Sequence, residues 1–144
     1  MLNLLHPQLV HFPIALLLTS VALDWAGLIW KDKGFDKAGW LTLLLGLAAT
    51  AFTILSGLMA AQSIPADSPA LAALNPHRLL GIITFVLFGL QAVCHWRNRA
   101  GYTTGKRILH TAIQAISVAA LIGVGYFGGE LVYAFGVGVS ALAR

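Results

Sequence analysis

Four long apolar runs, at about 10–30, 40–62, 77–96 and 108–127, limit what this chain can fold into. Each is close to the ~20 residues an α-helix needs to cross the hydrocarbon core of a bilayer. Strands of a membrane barrel alternate apolar and polar residues, whereas Leu41–Leu55 reads LTLLLGLAATAFTIL and does not alternate. Backbone groups in lipid must also be satisfied within their own segment, which favours helices over an open sheet. Of the 144 residues, 58% are hydrophobic and 10% charged, and the mean hydropathy is +0.83, too apolar for a soluble core and surface. The expected fold is all-α: a polytopic membrane four-helix bundle forming a single domain over 1–144, with a C-terminal tail on the outer side. No basic n-region precedes the first run, so that helix is expected to remain in the mature protein.

Orientation follows from the basic residues. Lys31, Lys33 and Lys37 lie between the first two helices, and Arg97, Arg99, Lys106 and Arg107 between the last two, so seven of the nine share one side. By the positive-inside rule that side is cytoplasmic. The expected setting is a bacterial inner membrane, with both termini and the loop Ser63–Pro76 in the periplasm. The net charge of +4 reflects these clusters rather than a basic face, which excludes nucleic acid as a partner. Trp25, Trp30, Trp40 and Trp96 fall near helix ends on the basic side, as an aromatic belt would place them. Cys94 is the only cysteine, so no intramolecular disulfide or cysteine metal framework exists. The segment after Gly128, GGELVYAFGVGVSALAR, is apolar but interrupted by glycine, and is expected to lie at the outer surface rather than cross again.

Five histidines are many for so apolar a chain. The topology sends His6, His11 and His77 to the outer side and His95 and His110 to the cytoplasmic side. His77 and His95 are eighteen residues apart, about five helical turns, and therefore share a face with a rise of roughly 27 Å between them. Such placement suits b-type haem, whose iron takes imidazoles from neighbouring helices. The expected pairs are His11 with His77 for an outer haem and His95 with His110 for an inner one, and two haems would give an electron path across the membrane. Gly57, Gly81, Gly89, Gly123 and Gly125 would let a flat macrocycle approach the backbone, although glycines at helix interfaces are also ordinary packing. The plainer reading of the histidines is that residues near membrane ends meet water and headgroups.

The outer group admits another chemistry. His6, His11 and His77 with Glu130 would suit zinc or copper, both borderline ions that accept imidazole and carboxylate. His6 and His11 lie about 140° apart around a helix, so they would share an ion only if Pro7 or Pro13 altered the path. Asp24 and Glu130 are carboxylates at membrane depth, which default to a functional hypothesis, though either could cap a helix or pair with a basic residue such as Arg78.

HPQLVHFPIALL at His6–Leu17 and GGELVYAFGVGV at Gly128–Val139, with His77 at the start of the third run, closely resemble the bacterial membrane-protein family catalogued as domain of unknown function 2231. The resemblance spans nearly the whole chain. It implies a four-helix inner-membrane protein and singles out His6, His11, His77, Gly128, Gly129, Glu130 and Tyr133, all on the outer side, where Glu130 and Tyr133 would shape a pocket with the tail as its lid. His95 and His110 stand outside the pattern, which weakens the inner haem. Many relatives carry a basic residue and a histidine after LVY, where this chain has Ala134 and Phe135, so a ligand from the tail is not expected. The resemblance supplies topology and a site location but no reaction.

Three functions follow as expectations. One is a b-type-haem electron-transfer or anchor subunit, more a redox subunit than a stand-alone enzyme, serving a quinone or a periplasmic redox protein. The second is a metal-binding or transport protein using the outer His and Glu residues. The third is a structural or assembly subunit without cofactor, within a membrane complex or homo-oligomer. Serine, histidine and carboxylate residues scattered over separate segments give no hydrolytic triad.

Overall fold

The computed structural model describes residues 2–139. Helices α1 (Leu2–Leu9), α2 (His11–Trp30), α3 (Lys33–Ala61), α4 (Leu71–Arg97) and α5 (Thr104–Tyr133) follow in order, with no strand among the described residues. Together α1 and α2 make one crossing, and four spans are long and apolar enough to traverse a bilayer. The short break falls at Val10, where Pro13 withholds a donor from the Leu9 carbonyl, while Val10 still bonds back to His6 and Ile14 to Val10.

The helices extend beyond the apolar runs. Helix α3 begins at Lys33 because Asp32 accepts from the Gly34 amide at 2.7 Å and caps it, one residue after Lys31 ends α2 in the left-handed region. Helix α4 begins at Leu71, so His77 sits well inside it rather than at its start. Pro76 is tolerated in this second turn, close to the end where amides lack partners. Helix α5 continues through the Gly128–Gly129 pair to Tyr133. The tail then reverses at Gly136 (φ 65°), with the Val137 amide bonded to the Leu131 carbonyl at 2.8 Å. Phe135 and Val137 thereby pack on Ala70, Ala73, Leu74 and Leu131, so the tail folds back over this end as far as residue 139. The segment 140–144 lies outside the described residues.

Helix α2 packs mainly on α3 and α4 on α5, and the two hairpins meet through α3 and α4. Glycines set the closeness of the first pair: a Cβ on Gly39 would stand 3.2 Å from the Ser20 carbonyl, and one on Gly46 only 2.7 Å from Leu17 Cδ2. Leu17, Val21, Leu43, Phe88 and Leu121 fill the centre. The polarity is otherwise inverted relative to a soluble protein. Ile29, Phe52, Leu45, Val86, Leu79 and Ile122 are exposed, while Asp24, Thr84, Gln91, His110, Gln114 and Ser117 are buried. An outward apolar surface of this extent demands lipid, and each polar group inside then requires a protein partner.

Candidate functional site

The bundle has a chemically distinct site at each end. At the end that carries α1 and the returning tail, residues of all five helices and the tail enclose an apolar, part-open chamber of ≈ 170 Å³. Into it project His6 and His77, with ring centroids 6.3 Å apart and planes at 86°. Each ring lies against a glycine: a Cβ on Gly57 would be 2.7 Å from His6 Cε1, and one on Gly128 3.1 Å from His77 Cε1. Larger residues at either position would push the imidazoles out of place.

Hydrogen bonds define which nitrogen of each ring is free. His77 Nδ1 lies 3.0 Å from the Val124 carbonyl, which only accepts, so Nδ1 carries the proton. His6 Nδ1 lies 2.9 Å from Ser56 Oγ, whose own proton goes to the Thr53 carbonyl at 2.9 Å, so His6 Nδ1 is the donor there too. Both Nε2 atoms therefore keep a lone pair, and neither has a hydrogen-bond partner among the described residues. An imidazole held through Nδ1–H with Nε2 free is how proteins orient histidine as a metal ligand.

The other residues expected at this end are placed differently. His11 is exposed, its Nδ1 3.4 Å from the Gln8 carbonyl, and it does not line the chamber. His6 and His11 stay on different faces, and the imidazole brought beside His77 is His6, not His11. Tyr133 is 91% exposed and cannot act as part of a lid, and Glu130 is half-buried but outside the chamber wall. Leu131 and Val137 supply the tail's share of the wall instead. Gly128 contributes through its missing side chain, while a Cβ on Gly129 would meet only Tyr133, at 3.9 Å.

At the opposite end, beside the basic loops, a polar network crosses the bundle. Asp24 Oδ2 accepts from Gln114 Nε2 at 2.7 Å and from His110 Nε2 at 3.2 Å, and Gln114 Oε1 in turn accepts from Trp25 Nε1 at 2.8 Å. Deeper in, Gln91 donates to Ser117 Oγ at 2.6 Å. His95 is stacked on Trp40, centroids 4.6 Å apart and planes 8° from parallel. Of the four tryptophans, Trp30 and Trp96 are 67% and 61% exposed, as a belt requires, whereas Trp25 and Trp40 serve this network. Tyr102 covers it from the loop beneath Arg107, whose Cζ stands 4.1 Å from the ring centre. Burial, reinforced by the negative charge of Asp24, pushes the Tyr102 phenol up to about 12, so it stays a neutral hydroxyl across the physiological range.

An inner haem does not fit here. His110 is 3% exposed with Nε2 committed to Asp24, His95 lies flat on Trp40, and the gap bordered by both is ≈ 10 Å³. The two histidines share a site, but as parts of a polar cluster rather than as axial ligands. Asp24 pairs with His110 and Gln114, not with Arg78. Gln91 and Gln114, polar residues in the middle of apolar runs, were the sequence signal for this cluster.

Buried polar groups, a lipid-facing apolar exterior and four spanning helices define a multi-pass membrane protein. The chain belongs to the family described as predicted membrane protein (DUF2231), whose model matches residues 3–141. No curated protein and no solved structure matches it.

Proposed function

We propose that the protein is a membrane redox subunit that holds a single b-type haem between His6 and His77. The observation that carries this reading is the pair of imidazoles lining one apolar chamber, each ring fixed through Nδ1 and with no partner for Nε2 among the described residues. Two imidazoles bound to one metal at about 2 Å each have ring centroids about 6 Å apart when they stand opposite one another, which matches the observed spacing. The haem supplies one-electron transfer. The chain orients both imidazoles through Val124 and Ser56, keeps water out with the apolar wall, and offers the Arg78 guanidinium at the chamber to a carboxylate. A single haem at this end would exchange electrons at one membrane surface, with a quinone or a redox protein as partner. Full-length protein purified in mild detergent after haem-replete expression should show a Soret band, and its absence would refute the haem assignment.

The size of the chamber favours one further reading. About 170 Å³ encloses only part of a macrocycle, the rest of which would lie in the open side, whereas a single copper or zinc ion between the two imidazoles needs no opening. Elemental analysis of the same preparation separates the two.

The seven basic residues at the opposite end support an orientation with the haem end periplasmic in a bacterial inner membrane. Reporter fusions check it: a fusion in the loop at Lys37 should show cytoplasmic-type activity and one after Arg144 periplasmic-type activity. The reverse pattern would invert the protein.

A further inference from the structure

The polar cluster at the basic end contains an arrangement that hydrogen bonding within the chain does not complete. Asp24 from α2, Asp36 from α3 and His95 from α4 each direct one potential ligand atom to a common point, with all three atoms within 4.8 Å of one another. Two carboxylates at that separation repel unless a cation or proton lies between them. Among the described residues no Lys or Arg lies within ion-pair distance of Asp36, despite the four basic side chains around the same cavity. Oδ2 of Asp24 takes the bonds from both Gln114 and His110, which leaves Oδ1 without a donor among the described residues. His95 is held by its ring face against Trp40, and neither ring nitrogen has a hydrogen-bond partner among the described residues. His110, buried against Asp24, has an unpartnered Nδ1 and borders a small gap together with Asp24 and His95. A cavity of ≈ 430 Å³ connects Asp24, Asp36 and His95 to the loops at this surface.

We propose that Asp24, Asp36 and His95 form a binding site for a divalent transition ion of the Mn²⁺ to Zn²⁺ type, with His110 and Gln114 holding Asp24 in place. Two carboxylates and one imidazole match ions that take mixed oxygen and nitrogen ligands, and their charge balances a divalent ion. The open cavity leaves further coordination positions to water. Lys31, Lys33 and Arg99 around the mouth are exposed, so solvent and salt screen their repulsion of an entering cation, while the carboxylates act at contact distance. The site is separate from the His6 and His77 chamber, and it stands or falls independently of the haem.

The test uses the full chain in mild detergent, stripped with a chelator and then titrated with Zn²⁺ or Mn²⁺, with metal content and affinity measured. Wild type is expected to bind one ion at this site. Asp36→Asn, isosteric and only half-buried, and His95→Ala should each weaken binding at least ~10-fold, with Gln114→Leu giving about 10-fold or more through loss of orientation. His77→Ala removes any contribution from the opposite end and should leave this binding unchanged. Helix content and cooperative unfolding serve to verify that each variant is folded. The proposal is overturned if the stripped wild type takes up neither ion, if Asp36→Asn and His95→Ala bind as wild type does, or if His77→Ala alone abolishes binding.

Discussion

His77→Ala should abolish the Soret absorbance of haem-replete protein, and His6→Ala should do the same. Neither ligand has a substitute: the chamber is otherwise lined by apolar side chains, small hydroxyls and Arg78, none of which supplies a comparable axial ligand. His11→Ala should leave the spectrum unchanged, because that ring is exposed outside the chamber. Ser56→Ala keeps both ligands but frees His6 Nδ1, and should lower haem affinity by about 10-fold through loss of ring orientation. Absorption spectra and pyridine haemochrome quantification of the variants provide the measurement. If His11→Ala removed the band while His6→Ala spared it, the pairing drawn from the chamber would be wrong. If copper or zinc replaces haem as the ligand, the same two histidines should govern metal content instead.

The second large effect lies in the network at the basic end. His110→Leu should destabilise the bundle by about 3 kcal/mol, because it strips a hydrogen-bond partner from a buried carboxylate. Asp24→Leu should cost less, since it leaves a buried imidazole rather than an unpaired anion. The double variant should be more stable than His110→Leu alone, as removal of both members of a buried pair eliminates the unmet charge. Unfolding in mixed micelles, with metal removed by chelator, gives the three values. If the double variant were less stable than either single one by the sum of their costs, Asp24 and His110 would not form a coupled pair.

The two sites were legible to different degrees. His6 and His77 were visible as histidines near apolar run ends, but which of His6 and His11 faces inward depends on the path of α1 into α2 around Pro13, and a 140° offset reads the same way from either residue. Glu130 and Tyr133 stood in a distinctive motif, yet the turn at Gly136 brings Val137 rather than either of them to the chamber. At the other end, the spacing of His77 and His95 implied a shared face of one helix. It could not reveal that Trp40 would occupy the space beside His95, or that Asp24, eighty-six residues from His110, would claim its Nε2.

Local chemistry along the chain was enough to determine the four spans, their helical nature, the common side of the basic loops and the membership of every histidine in one end or the other. Length, hydropathy and charge act within a segment of about 20 residues, and lipid leaves only the helix or a closed barrel, whose alternation these runs lack. Only the tertiary structure decided the partners. The rotation of each helix about its axis follows from close contacts such as Gly46 on Leu17 and Gly57 on His6, which join residues far apart in sequence. That rotation turns His6 towards His77, turns His11 away, and gathers Asp24, Asp36 and His95 from three helices at a single point.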